Sequence, residues 1–457
     1  MNIFERHYYF PKRRKGIVLS QRYRLSLDDS FKNLCLVAPT GSGKTTRFVI
    51  PNILQCQGSV IVTDPAGEIF ARTSGHMKNR GYKIQVLQPA KLEESLRFNP
   101  LLRLRTPQEL RQLATTLGNN GASDKSDPFW RIAAINILYV CLSALIHVEN
   151  KRFVNIGNLR WILNHLGGVN DRGINDFMCK YLDDTMFSEY KAFLAQDDKV
   201  IASILSSARA AIDLWSDPEV VKLTATDTID LEGLRNEKTI IYIIVPEDQI
   251  RYFSIVINLF YTACFNYCLK NPNGLPIFFF LDEFGNLGHI HNFASVSTTL
   301  RKRNCSINII LQDVSQLAAV YGRDEAKSIF SGGMGNKLFF SGLDLDTCTY
   351  LEKVLGNSTE YEKDEHGRLI GRPLLTVDQI RRLHKKKGIL ISGRYRPARM
   401  RMKPYFKNSS LLKKSRKTPV NIKKDYSHEK VDFIEFSSPL PTPQTSIISI
   451  KELISNS

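Results

Sequence analysis

The chain has 457 residues, 43% of them hydrophobic and 24% charged, enough to bury a real core in two or three structural units. That excludes a peptide hormone, a disordered tail and a disulfide miniprotein. The net charge of +18 is unevenly placed: residues 1–34 carry +5, residues 381–457 carry +14, and the 346 residues between them carry −1. A neutral body therefore has two basic ends, which suit nucleic acid, anionic lipid, an acidic protein or plain solvent.

In chain order, Met1–Lys15 is aromatic and basic, without the apolar stretch of a secretory leader. Runs fit for β-strands follow at Leu34–Ala38, Ser59–Thr63 and Lys83–Leu87. From Leu102 to about Asp230 the spacing turns helical, with segments at Pro107–Leu117, Pro128–His147, Ile156–Leu166, Asn175–Leu194 and Lys199–Ser216. Strand-like runs resume at Thr239–Val245, Ile277–Leu281, Ser306–Gln312, Lys337–Ser341 and Gly388–Ser392. Most are continuously apolar, as expected of parallel strands covered on both faces. The reading is an α/β core, residues 34–104 and 230–404, interrupted by an all-α domain at 105–229. A basic amino-terminal segment, 1–33, precedes it, and a basic flexible tail, 405–457, follows. Within that tail Ile447–Ile454 is a short apolar patch fit for docking. The apolar stretches Ala133–Val148 and Phe253–Leu269 are shorter than a membrane span requires and read as buried helices. Eight cysteines without a CxxC pair read as reduced thiols of a cytosolic protein.

The chemistry begins where Leu34–Val37 runs into Ala38-Pro39-Thr40-Gly41-Ser42-Gly43-Lys44-Thr45-Thr46. A phosphate-binding loop needs glycines so that backbone N–H groups can turn inward, and a following helix to add its positive end. Thr40, Gly41, Ser42, Gly43, Lys44, Thr45 and Thr46 would form the nucleotide cradle. Lys44 would reach the β- and γ-phosphates and Thr45 would place its hydroxyl on Mg²⁺. The usual first glycine is Ala38. The second half of an ATPase lies in Pro276–Leu281 followed by Asp282-Glu283, an apolar strand ending in two carboxylates. Asp282 would hold the metal with Thr45, and Glu283 would polarise the attacking water. Gln312 closes the next strand, where its amide can sense the γ-phosphate. Arg301, with Arg303 as competitor, can reach a neighbouring subunit's ATP or simply be solvated. Asp64 and Glu68 end the second strand and are either ligands at the sheet edge or helix caps.

These residues resemble the type IV coupling proteins, hexameric ATPases of conjugative and type IV secretion systems. The resemblance rests on Ala38–Thr45, Asp64–Glu68, Asn99-Pro100-Leu101, Asp127–Trp130, Leu281–Gly288, Leu311–Leu317 and Tyr321-Gly322, and covers about residues 30–405. It implies a RecA-like P-loop NTPase core with an inserted all-α domain. It also implies ATP and Mg²⁺ as cofactors, Lys44, Glu283 and Gln312 acting in one subunit, and Arg301 acting in trans. The implied function is recruitment of a relaxase on single- or double-stranded DNA, or of a protein substrate, to a secretion channel, with ATP turnover, DNA-stimulated, driving or gating transfer. Most members begin with transmembrane helices that this sequence does not show before Leu34. The expectation is a branch peripherally associated with the inner face of the bacterial membrane through a separate small anchor protein, assembling as a homo-hexamer. The competing readings are a nucleotide-gated substrate receptor without translocase activity, and a soluble DNA-pumping ATPase of chromosome-segregation type.

Overall fold

The computed structural model describes residues 3–120, 127–167, 172–363, 369–393, 395–423 and 430–436. These fall into two compact units, one formed by Met1–Pro100 with Asp227–Glu429, the other by Leu101–Thr226 with the chain from Lys430 onward.

The first unit is built on nine strands: β1 Leu34–Val37, β2 Ser59–Asp64, β3 Lys83–Leu87, β4 Thr239–Ile244, β5 Ile277–Leu281, β6 Cys305–Leu311, β7 Asn336–Phe340, β8 Lys387–Ser392 and β9 Ala398–Arg401. Their order across the sheet is β9-β8-β7-β1-β6-β5-β2-β4-β3. Strands β1 to β7 pair in parallel, while β8 runs antiparallel to both β7 and β9. Every residue of β1, β2, β4, β5 and β6 is buried, which is why these strands read as unbroken apolar runs. β9 escapes that pattern: it alternates buried Ala398 and Met400 with exposed Arg399 and Arg401, the signature of an edge strand covered on one face. Crossovers between the parallel strands put the ends of β1, β2, β5 and β6 on one side of the sheet, and that side carries the site described below.

Both ends of this unit depart from the sequence reading. Residues 1–33 are not a separate segment. Phe10, Ile17, Leu19, Tyr23 and Leu25 are buried in the core of the sheet unit, and Asn52 clamps Val18 by donating to its carbonyl (3.0 Å) and accepting from its N–H (2.7 Å). Residues 405–423 are not a free tail either. Tyr405 and Leu411 are buried, and the helix Ser409–Ser415 packs on the helix Glu68–Asn79. The approach is close enough that a Cβ on Gly75 would sit 2.0 Å from the Thr418 carbonyl, so only glycine fits there. A handful of apolar anchors among many lysines holds this strap down, and average composition hides them. The Pro439–Pro443 stretch and the patch Ile447–Ile454 lie outside the described residues.

The second unit is helical: Pro107–Gly118, Pro128–Ile146, Ile156–His165, Arg172–Tyr181, Asp184–Leu194, Asp198–Ala211 and Pro218–Ala225. Its starts follow capping chemistry. Thr106, Asp127 and Asp217 each accept a backbone N–H just before a proline in the first turn. The single helix expected over Asn175–Leu194 is two, because Asp183 accepts the Met186 N–H (2.8 Å) and starts a new one. Pro128–Ile146 is long and apolar enough to cross a membrane, but 56% of its apolar window is buried among the other helices of this unit, as befits a core helix. The eight cysteines are all free, seven buried and Cys179 exposed.

Candidate nucleotide site

The site is assembled from the carboxyl ends of three adjacent strands, β1, β6 and β5. Past β1 the Ala38 N–H still pairs with the Leu311 carbonyl (2.9 Å), so strand geometry continues through the position where a glycine is usual. Only Gly41 and Gly43 take the left-handed backbone, at φ of +74° and +77°. Alanine is therefore tolerated at 38 for a plain steric reason. Thr40 and Gly41 stand exposed at the crest of the loop, while the Ser42 hydroxyl is buried with no hydrogen-bond partner. An orphaned donor inside a glycine-rich turn is what a phosphate oxygen would satisfy. Thr46 spends its hydroxyl on the Gly43 carbonyl (3.2 Å).

The chain leaves the loop as a π-turn over Thr45–Val49, with Ile50 N–H donating to the Thr45 carbonyl five residues back, and then becomes the α-turn Ile50–Ile53. Pro51 sits at the start of that second turn, where its missing N–H costs least. The Asn52 amide also donates to the Phe48 carbonyl one turn back (2.9 Å), while its bonds to Val18 tie this helix to the amino-terminal residues.

At the end of β5, Asp282 and Glu283 are 2% and 4% exposed. The Thr45 hydroxyl donates to Asp282 Oδ2 (3.2 Å), and the Glu283 N–H donates to Asp282 Oδ1 (3.1 Å). Burial pushes the Asp282 carboxyl up to about 6, against the pull of the nearby Lys44 ammonium. Glu283 is held in left-handed backbone, φ +56°, which a non-glycine residue adopts at a cost of order 1 kcal/mol. The turn aims its carboxylate back across the sheet edge. Lys44 Nζ forms an ion pair with Oε1, while Gln312 Nε2 donates to Oε2 (3.0 Å) and Asn286 Nδ2 reaches the same oxygen (3.4 Å). Gln316, one helical turn beyond Gln312, accepts the Gln312 N–H on its side-chain oxygen (3.0 Å). Gln316 and Asn52 position the site without touching its centre. Nothing in their residue types announced them, although Gln316 falls in a stretch that carries the family resemblance.

The donor set fits a nucleotide triphosphate with Mg²⁺: a cradle, one cation, and a hydroxyl with one carboxylate. Among the described residues no cluster of three or more His, Cys, Asp or Glu could hold a metal alone. Thr45 and Asp282 would therefore hold Mg²⁺ only together with phosphate and water, its usual habit.

Asp64 and Arg301 lie elsewhere. Asp64 Oδ2 accepts the Phe70 N–H (2.7 Å), capping the helix Glu68–Asn79, and burial pushes its carboxyl up to about 6. Arg301 is exposed in the turn before β6, at the amino edge of the sheet, and the seven residues of β6 put it roughly 20 Å from Gln312. There it borders a cavity of about 840 Å³ with Arg14, Asp28 and Lys32. Arg303 is half-buried, and its carbonyl accepts from the buried Arg235 guanidinium (2.5 Å). The structure thus gathers Lys44, Thr45, Asp282, Glu283 and Gln312 and leaves Arg301 out.

A family model described as Type IV secretory system Conjugative DNA transfer matches residues 9–429. The chain belongs to this family. Protein VirD4 of Agrobacterium fabrum (strain C58) is 26% identical over 408 residues, which is 82% of this chain and 59% of that one. The conjugal transfer protein TraG of the same organism is 24% identical over 422 residues, 81% of this chain and 62% of that one. The chain thus spans about 60% of the length of these relatives of the conjugative DNA transfer family. Among solved structures, the coupling protein TrwB superposes with a TM-score of 0.71 in its complex with the GTP analogue GDPNP and 0.70 with ADP and Mg²⁺. Identity is 17% and 16%, over 88% of this chain and 92% of TrwB, a likeness of fold. That fold is the RecA-like P-loop core with a helical insertion expected from the sequence.

Proposed function

We propose that the chain is a coupling ATPase of conjugation or type IV secretion: it binds ATP with Mg²⁺ and uses hydrolysis to drive or gate transfer of a relaxase-bound DNA strand or protein substrate into the secretion channel. The observation that carries this reading is the convergence of Lys44, Thr45, Asp282, Glu283 and Gln312 at one sheet edge. Kinship with VirD4 and TraG supports the conjugative setting.

Bound Mg²⁺, held by Thr45 and Asp282, would neutralise charge on the β- and γ-phosphates. Lys44 would exchange its partner Glu283 for phosphate oxygens. That exchange frees the Glu283 carboxylate to take a proton from the attacking water, while Gln312 and Asn286 keep it aimed. With the Ser42 hydroxyl and the amides of Gly41 and Gly43, the loop would orient the phosphates. Arg301, remote from its own chain's site, would complete the site of a second copy in a homo-hexamer. DNA stimulation of turnover, a relaxase, channel components and a separate small membrane-anchor protein as partners, and residence at the cytoplasmic face of the membrane belong to the same proposal.

The test is ATP turnover and nucleotide binding by the purified chain with and without DNA. Lys44→Ala should lose both binding and turnover. Glu283→Gln should still bind ATP and lose turnover by about 10² to 10⁴-fold. Turnover indifferent to DNA at low salt would count against a DNA-transfer motor.

A further inference from the structure

The helical unit grips one stretch of the chain in the way a receptor grips a peptide. Residues 430–436 have no helix or strand of their own. Asn158 Nδ2 donates to the Asp432 carbonyl (3.0 Å), and its Oδ1 accepts the Ile434 N–H (3.0 Å). Trp161 Nε1 donates to the Ile434 carbonyl (2.9 Å). Three hydrogen bonds thus read main chain alone. Asn158 is fully buried and is set in place by Asn155, which accepts its N–H (2.9 Å). Side chains are read by rings: Phe433 lies 5.3 Å from Trp161 between centroids, and Phe436 lies 4.9 Å from His165 and 5.7 Å from Phe177. Ile434 is buried between them, while Asp432, Phe433 and Glu435 remain exposed. The segment borders a cavity of about 690 Å³, walled also by Phe153 and Tyr181, so the groove has room beyond its occupant.

We propose that this is a peptide-binding groove whose resident ligand is the chain's own Val431–Phe436. In trans it takes a segment of another protein carrying the same pattern, Phe-Ile-x-Phe, where the aliphatic position must not be proline because its N–H is read by Asn158. Main-chain clamping supplies affinity and the spaced pockets supply selectivity, as in other peptide receptors. A tethered occupant acts at an effective concentration of order millimolar, so it excludes outside peptides until it lets go. The inference goes beyond the nucleotide-driven reading and does not depend on it.

The probe is a fluorescent peptide spanning residues 428–440. The full chain carrying Phe433→Ala with Phe436→Ala should bind it at least tenfold more tightly than the unaltered chain, and adding Asn158→Ala should abolish the gain. Peptide binding no tighter in the released chain, with its circular dichroism melting intact, would overturn the proposal. A gain that survives Asn158→Ala would overturn it too. If the released chain fails to fold, hydrogen exchange in the unaltered protein decides. The Ile434 amide should exchange at least 100-fold faster than the Leu142 amide in the core helix Pro128–Ile146. Equal protection would make the segment permanent core and end the proposal. Neither readout involves ATP turnover, so failure here is distinct from failure of the ATPase reading.

Discussion

The two edges of the central sheet are made of the same strands and are chemically unlike. At the carboxyl edge, Asp282 and Glu283 are almost fully buried, and Lys44, Thr45 and Gln312 each bond to one of them. At the amino edge, Arg301 is exposed beside an open cavity, among groups of both signs. A buried, mutually bonded cluster can hold phosphates with no help from outside. An exposed arginine some 20 Å away cannot act on them unless another chain brings phosphates to it. The lesson is that one edge gathers its proposed site within a single chain, whereas the other would reach phosphates only in the proposed homo-oligomer.

The largest expected effect breaks this contrast directly. Arg301→Ala should lower ATP turnover by about 10²-fold or more while leaving nucleotide binding within twofold, with Arg303→Ala far milder. Mixing Arg301→Ala chains with Lys44→Ala chains should restore a fraction of turnover, since some sites then pair an intact loop with an intact arginine. No recovery on mixing would place Arg301 outside the chemistry.

A smaller effect sets Asp64, the buried carboxylate of that edge that only caps a helix, apart from Asp282 and Glu283. Asp64 has its carboxyl pushed up to about 6, so the folded chain holds that proton more tightly than the unfolded chain, whose aspartates titrate near about 4. Stability should therefore fall as pH rises from about 4 to about 6 and level off above. Asp64→Asn keeps an acceptor for the Phe70 amide and removes the titration. Denaturant melts should show the variant gaining on the unaltered chain across that window, by on the order of 1–2 kcal/mol. Nucleotide binding should be unchanged.

The smallest effect concerns Ala38. Because Ala38 is not among the positive-φ residues and its N–H still pairs with Leu311, Ala38→Gly should leave nucleotide affinity within twofold and cost roughly 0.5–1 kcal/mol of stability. Markedly tighter nucleotide binding would show that the missing glycine matters to the loop after all.

What could be read in advance follows from how each part is held. β1, β2, β4, β5 and β6 are buried on both faces, so apolar runs betray them, and a loop that must bend its backbone inward has to spell out Gly41 and Gly43. The carboxylates and Gln312 follow because parallel strands deliver their ends to one edge. β9 was invisible because Arg399 and Arg401 swamp its two buried residues. The segment 405–423 hid for a related reason: few anchors, among them Tyr405 and Leu411, stand in a stretch dominated by lysine and other polar residues, and the apolar run 431–436 is too short to stand out between polar flanks. Asn52 and Gln316 work through single hydrogen bonds across the fold, and no local pattern encodes such bonds.

The arginines of β9 constrain how copies of the chain can meet. An uncapped edge strand invites another sheet to continue it, but β9 turns two cations outward, and Arg6 donates to the Arg399 carbonyl that such a neighbour would need. Two like edges would bring four guanidinium groups together. Lateral growth of the sheet is thereby discouraged at this margin, so the proposed homo-oligomer would have to assemble through another face of the chain.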